Sequence, residues 1–269
     1  MSLFAKHKKL GLALGGGAVL GFAHLGVLKA LTEAGFSPAA IAGTSAGSLF
    51  GALYCAGLSC DEILAASEKI SWLDLIVPTV PAMGLLKADG LEKVMTKLTG
   101  GKTIEELSIP FRAVATDLAT GKKVLIGSGS LARAVRISCS IPGIFTPFDE
   151  EDRLLADGGL VDNVPADTVR AMGADYVIAV DVVSAADGRK PSNIGEVIFR
   201  SMTILIAGTN PAGLKDADCL VRPDLAGFSP HDMKKKHEIL AAGEQAMKAL
   251  LPQIPRAYKA VKPAAMKPQ

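Results

Sequence analysis

The chain has 269 residues, 49% of them apolar and 21% charged, with a formal net charge of +2. That is enough apolar material to bury a large core as one α/β domain, and the near-neutral charge gives no reason to expect a nucleic-acid partner. Cys55, Cys60, Cys139 and Cys219 lack metal or redox spacing and no acidic loop has calcium-ligand spacing, so reduced buried thiols and no metal or cofactor are expected.

Residues 1–9 read as an N-terminal extension containing Lys6, Lys8 and Lys9. The uncharged runs Leu10 to Leu28 and Phe36 to Cys60 share a trait with signal peptides and membrane spans. The first run, however, holds a glycine triplet and His24, and its period shifts from strand-like to helix-like. A parallel sheet covered on both faces produces such runs without a bilayer, so a soluble, cytoplasmic protein is expected.

Leu10 to Leu14 is a buried-strand pattern, followed by Gly15-Gly16-Gly17 and a helix from Phe22 to about Ala34, where Phe22, Leu25, Leu28 and Leu31 recur at helical spacing. His24 lies on that helix among apolar neighbours and reads as a core or surface histidine. Three consecutive glycines are costly to order, so bare backbone is expected close to something there. A short apolar strand then enters Gly43-Thr44-Ser45-Ala46-Gly47, which fits the G-x-S-x-G elbow. Between Gly43 and Gly47 the turn from strand to helix pushes Ser45 into open space. The free N–H groups and positive dipole end of the following helix would stabilise charge on the serine oxygen. In a parallel sheet both loops of this βαβ unit open on the carboxyl edge, where ligands bind.

A polar helix from Asp61 leads into residues 71–86, apolar, broken by Pro78 and Pro81 and without a clear period. They read as an apolar flap, carrying Trp72, Leu75, Ile76 and Met83. Thr103-x-x-Glu106 is a capping-box pattern. Strands at Phe111 to Leu118 and Lys122 to Ile126 form a hairpin, and Ser130 starts a helix to about Cys139 whose Arg133 and Arg136 could pair with acids. The second chemical stretch is Leu154 to Pro165, where Asp157 ends an apolar strand before two glycines. Asp-Gly-Gly also suits an ordinary turn. A catalytic Asp157 would have to lie near the serine and be partly desolvated, since an ordinary carboxylate is a poor base for a hydroxyl. A further buried strand at Tyr176 to Val182, a helix at Ile194 to Ile206, a strand at Cys219 to Arg222 and a helix from Asp232 to Leu251 complete a domain spanning 10–251. Residues 252–269, with Pro255, Pro263 and Pro268, read as a loosely ordered tail.

The order of these phrases, a glycine loop, Gly-Phe-Ala-His-Leu-Gly-Val-Leu-Lys-Ala-Leu, Gly-Thr-Ser-Ala-Gly, Ser-Ile-Pro-Gly-Ile-Phe and Asp-Gly-Gly-Leu-Val-Asp-Asn-Val-Pro, resembles the bacterial patatin-like phospholipases over residues 10 to 250. The resemblance implies a three-layer α/β/α fold with a mainly parallel central sheet and a lipid acyl hydrolase without a catalytic histidine. Ser45 would be the nucleophile, Asp157 the general base, and Gly16, Gly17 and Ala18 the oxyanion loop. Phospholipid, lysophospholipid or another fatty acyl ester would be the substrate, reached through transient contact with a membrane surface. The chain departs from the family pattern at Ala18, where a further glycine is usual, and at Leu20, where a basic residue is usual. Those departures leave a non-catalytic acyl-lipid binding relative as one alternative; a second is an ordinary α/β-hydrolase triad in which His231 or His237 follows Asp157 in the Ser, Asp, His order of those enzymes.

Overall fold

The computed structural model describes residues 8–78, 83–150, 152–183 and 190–259. The chain opens with β1 (Leu10–Leu14), α1 (Phe22–Glu33), β2 (Ala40–Thr44), α2 (Ala46–Cys55) and α3 (Cys60–Lys69). A helical turn, α4 (Trp72–Leu75), and two short strands, β3 (Val77–Pro78) and β4 (Gly84–Lys87), precede α5 (Asp89–Thr99). The hairpin β5 (Phe111–Asp117) and β6 (Lys122–Ile126) is followed by α6 (Leu131–Ser138), β7 (Gly143–Phe145), β8 (Phe148–Glu150) and β9 (Arg153–Asp157). The last third holds α7 (Ala166–Ala171), β10 (Tyr176–Val180), α8 (Ile194–Gly213), β11 (Cys219–Val221) and α9 (Lys236–Leu250).

Strands β11, β10, β1, β2 and β5 lie side by side, each pairing parallel with the next, and β6, β9 and β8 add antiparallel pairs on the β5 side. Alternation along the strands divides the core. Leu12, Leu14, Ile41, Phe111 and Val180 pack with α1, α2 and α9, whereas Ala13, Ala42, Val177 and Ala179 pack with Val164, Ala166 and Val169 around α7. Helices thus cover both faces, and the expected α/β architecture with a mostly parallel central sheet is the one observed. The first strand is buried throughout because it sits mid-sheet under helices on both sides.

Glycines set how closely two of those helices cross. A Cβ on Gly26 of α1 would lie 2.0 Å from the Leu240 carbonyl oxygen of α9, and one on Gly243 would lie 2.0 Å from that of Ala23. The C-terminal helix is thereby locked onto the first.

Two expectations are revised. Residues 71–86 carry α4, β3 and β4, and β4 pairs with β7 in a separate three-stranded sheet; residues 79–82 and the side chain of Trp72 lie outside the described residues. Of the tail expected to be loose, residues 252–259 are tied down. Tyr258 is buried, stacks on Tyr176 at 5.1 Å, and is followed by a bridge between Lys259 and Phe36. Residues 260–269 lie outside the described set. No helix among the described residues is long and apolar enough to cross a membrane.

Candidate active site

Strand β2 stays extended to Thr44, and α2 begins at Ala46; between them Ser45 takes φ 51° and ψ −122°. That region is nearly closed to side chains and persists only where neighbours fix it. Two backbones fix it here. A Cβ on Gly43 would sit 2.4 Å from the Gly47 carbonyl oxygen, and one on Gly47 would sit 2.0 Å from that of Leu14. No other residue type fits either position without moving main chain, which is the physical content of the G-x-S-x-G spacing.

Serine and aspartate meet because of how β5 is shared. Ala113 pairs with Gly43 of β2 and with Ile126 of β6, so β2 and β6 occupy opposite edges. Ala115 pairs with Val124 of β6 and with Asp157 of β9, so β9 lies on the same edge as β2. Strand β2 ends opposite Val114 and β9 ends opposite Ala115. The two strands therefore run toward each other along one edge and stop with Ser45 and Asp157 at the junction. Gly158 is needed just past it, since a Cβ there would lie 2.5 Å from the Val114 carbonyl oxygen.

The end of α6 fastens both residues. The Ser45 N–H donates to Ser138 Oγ at 2.9 Å, and that hydroxyl donates to the Val114 carbonyl at 2.6 Å. The Asp157 N–H donates to the Ser140 carbonyl at 2.9 Å, while Thr116 Oγ1 donates to the Asp157 carbonyl at 2.8 Å. Asp157 is 2% exposed, and its carboxylate accepts the Gly159 N–H at 2.8 Å. Burial raises its pKa to about 6, against the opposing pull of the Gly159 amide and of the nearby Ser45 side chain. The site also holds Cys139, whose thiol burial pushes well above its ordinary range.

The glycine loop passes directly beside the serine: a Cβ on Gly16 would be 3.1 Å from Ser45 Cβ. Its donors are not equivalent. Gly15 N–H reaches the Val180 carbonyl at 3.0 Å, and Gly16 N–H reaches Asn163 Oδ1 at 3.1 Å. The bond to Asn163 ties Gly16, one of the expected oxyanion-loop residues, to the loop after β9. No hydrogen bond engages the N–H of Gly17 or Ala18 among the described residues, and both stay open. Ala18 holds φ 51°, so it adopts the left-handed backbone a glycine would take there. His24, fully buried, bonds the Gly15 carbonyl through Nε2 at 2.7 Å. Burial lowers its pKa to about 4; the ring is neutral and donates from Nε2.

Sequence reasoning missed Ser138, Ser140 and Asn163, and it assigned His24 no place in this network. Asn163 did stand within the quoted Asp-Gly-Gly phrase, and Ser138 and Ser140 stand just before Ile-Pro-Gly, but their partners are far away in the chain. Arg133 and Arg136 pair with Glu92 at 3.7 Å and Asp89 at 3.4 Å, away from Ser45.

Ser45 opens into a cavity of about 430 Å³ walled by Ala18, Phe50, Leu53, Leu91, Met95 and others of similar character. Its size and greasy lining suit an apolar ligand. His231 also reaches this cavity, with its ring edge-on to Phe199 at 5.4 Å, but no hydrogen bond joins it to Ser45 or Asp157 among the described residues. His237 is exposed and bonds Glu68 at 3.2 Å. No cluster of three or more His, Cys, Asp or Glu that could hold a metal ion occurs among the described residues.

A family profile described as Patatin-like phospholipase matches residues 12–170. An uncharacterized NTE family protein of Mycobacterium tuberculosis is 38% identical over 183 residues, covering 67% of this chain and 51% of the relative. The lysophospholipase NTE1 of Coccidioides immitis is 34% identical over 195 residues, covering 70% of this chain and 12% of the relative. The chain thus spans about half, or much less, of the length of these relatives. Among solved structures, VipD from Legionella pneumophila aligns with a TM-score of 0.61 at 15% identity, covering 92% of this chain and 67% of that one; at this identity the likeness is one of fold.

Proposed function

This chain belongs to the patatin-like phospholipase family, and from that premise we propose that it is a lipid acyl hydrolase that cleaves fatty acyl esters through Ser45 and Asp157. The observation that carries the reading is the convergence of a strained serine and a buried carboxylate of raised pKa at adjacent positions along one strand edge, with the serine at the wall of an apolar cavity. Ser45 Oγ attacks the ester carbonyl as Asp157 takes its proton, and the alkoxide developing on the carbonyl oxygen is held by the N–H groups of Gly17 and Ala18 and by the N-terminus of α2. Asp157 returns the proton to the leaving alcohol. Water then attacks the acyl-enzyme, again giving its proton to Asp157, which passes it to Ser45 Oγ as the acyl–oxygen bond breaks and the fatty acid leaves. A carboxyl with a pKa of about 6 is a stronger base than an ordinary aspartate and is still mostly ionised at neutral pH.

The departure at Ala18 does not favour a non-catalytic relative, because the residue keeps the left-handed conformation and an open N–H. Exposed Ile194, Val197 and Ile204 on α8, whose Phe199 lines the cavity, support contact with an aggregated lipid surface during turnover.

A fluorophosphonate probe and a monoacyl ester test the assignment together. The wild type labels at Ser45 and turns over, whereas Ser45→Ala and Asp157→Asn, folded by circular dichroism, lose activity by a factor on the order of 10³ or more. Wild-type turnover in Ser45→Ala would sink it. Full activity in Asp157→Asn with loss in His231→Ala would replace it by the histidine triad.

A further inference from the structure

The segment just past Asp157 serves both loops of the site at once. The Asp162 carbonyl accepts Thr44 Oγ1 at 2.9 Å, one residue before the strained serine, and the next side chain, Asn163, accepts the Gly16 N–H of the glycine loop at 3.1 Å. Because the elbow is held by main chain, a shift of Asp162 is passed chiefly to the glycine loop and moves its amides relative to the serine.

Asp162 is itself held from the other edge of β5. Lys123 of β6 stands opposite Thr116 of β5, so the two side chains share one face of the sheet. Thr116 uses that face to bond the Asp157 carbonyl. Lys123 uses it to place Nζ 2.9 Å from Asp162 Oδ2, 2.6 Å from Asp167 Oδ2 and 3.5 Å from Thr168 Oγ1.

The two carboxylates depend on that ammonium unequally. Asp167, on the first turn of α7, is half exposed, and its other oxygen accepts the Thr168 N–H at 2.6 Å, so water and an amide also carry its charge. Asp162 is buried, and its Oδ1 has no hydrogen-bond partner among the described residues. Burial pushes its carboxyl above the ordinary range, against the pull of Lys123. Without the ammonium, Asp162 must take up a proton or swing toward water. Either response disturbs the peptide that carries Asn163.

We propose that Lys123 is a positioning residue for ester cleavage: by pairing with Asp162 it sets Asn163, and through Asn163 the Gly17 and Ala18 amides. The inference rests on the acyl hydrolase reading and adds to it a residue more than a strand away from the serine. Lys123 is not among the walls of the apolar cavity, so its removal should act on bond making and leave ester binding in place.

The test measures kcat and KM on a monoacyl ester together with the rate at which a fluorophosphonate labels Ser45. In Lys123→Met, kcat and the labelling rate should fall together, on the order of tenfold or more, with KM close to wild type. Lys123→Arg, which keeps the charge, should recover most of both. In an Asn163→Ala background, Lys123→Met should lower the labelling rate little further, because the path to the amides is already cut. If Lys123→Met fails to fold, the Lys123→Met, Asp162→Asn double variant serves instead. It leaves no buried charge unpaired, and labelling should stay slow because position 162 is no longer tied to β6. Wild-type labelling and kcat in folded Lys123→Met, or in that double variant, overturn the proposal. So does a loss that falls on KM alone, or one that adds in full to the Asn163→Ala loss. A wild type that neither labels nor turns over removes the hydrolase reading and this inference with it; a wild type that does both, beside an unimpaired Lys123→Met, removes the positioning role alone.

Discussion

Ala18 and Ser45 hold the same unusual φ of 51°, the only non-glycine residues with positive φ among those described, yet the two loops that carry them are held in different ways. At the elbow the constraint is main chain against main chain, with Gly47 facing the Leu14 carbonyl and Gly43 facing Gly47. At the glycine loop it is main chain against side chain: a Cβ on Gly16 would meet Asn163 Oδ1 at 2.8 Å, and one on Gly17 would meet Val182 Cγ2 at 2.6 Å. A backbone cannot be exchanged by mutation, whereas a side chain can. The position of Ser45 is thus fixed by the sheet, and that of the Gly17 and Ala18 amides is adjustable through Asn163, Val182 and His24.

Gly47→Ala should break the rigid half outright. A methyl driven 2.0 Å from a carbonyl oxygen forces the central helix off the sheet, and a loss of about 3 kcal/mol or more is expected in denaturant titration. Ser45→Gly separates strain from chemistry. Activity should fall by a factor on the order of 10³ or more, while the melting temperature rises, because relief of roughly 1–3 kcal/mol of backbone strain outweighs the entropy cost of glycine. A variant no more stable than wild type would show that the elbow is unstrained.

The adjustable half should give intermediate effects. Removing the Asn163 amide by substitution with Ala leaves the buried Gly16 N–H without its partner, costing about 1–3 kcal/mol. The loop's own amides lose their register, so kcat and the fluorophosphonate labelling rate should drop together while cavity ligands still bind. Labelling at the wild-type rate would mean that Asn163 serves stability alone. The pH profile reads the buried carboxylate. With a pKa raised to about 6, Asp157 is protonated and inert as a base below that value, so kcat/KM should climb with pH through about 6 and level off above it. The same shift acts on stability in the opposite direction. Between the unfolded aspartate pKa near 4 and about 6 the folded state holds a proton that the unfolded state has released, so this group's contribution to stability falls as pH rises across that window. Asp157→Asn should flatten both curves. Smallest of all, Ala18→Gly exchanges left-handed strain for chain entropy and should move stability by less than about 1 kcal/mol.

The sequence carried the rigid half better than the adjustable one, for a physical reason. The elbow and its helix, the strand Leu10 to Leu14 and the hairpin at Phe111 and Lys122 announce themselves by glycine spacing and by hydrophobic period, which are local. Strands β3, β4, β7 and β8 are two to four residues long and exist through partners elsewhere in the chain, so they leave no period to read. The same holds at the site. Asp157 was legible as a carboxylate at a strand end, but the Gly16 to Asn163 bond spans 147 positions and the Ser45 to Ser138 bond spans 93. Nothing within a window of neighbours marks either. A glycine triplet signals backbone proximity without saying which of its amides is already paired, so the bond of Gly16 to Asn163 could not be read from it.

One edge of β5, divided between two strands that arrive from opposite directions, has a consequence for the order in which the protein comes into being. The Ser45 hydroxyl emerges from the ribosome with the first strands, and the carboxylate proposed to take its proton follows more than a hundred residues later. Until that late strand docks, a half-made chain carries a serine with nothing to activate it. On the proposed mechanism, competence to cleave an ester is withheld from any chain that ends before β9 and arrives only once that strand has docked on β5.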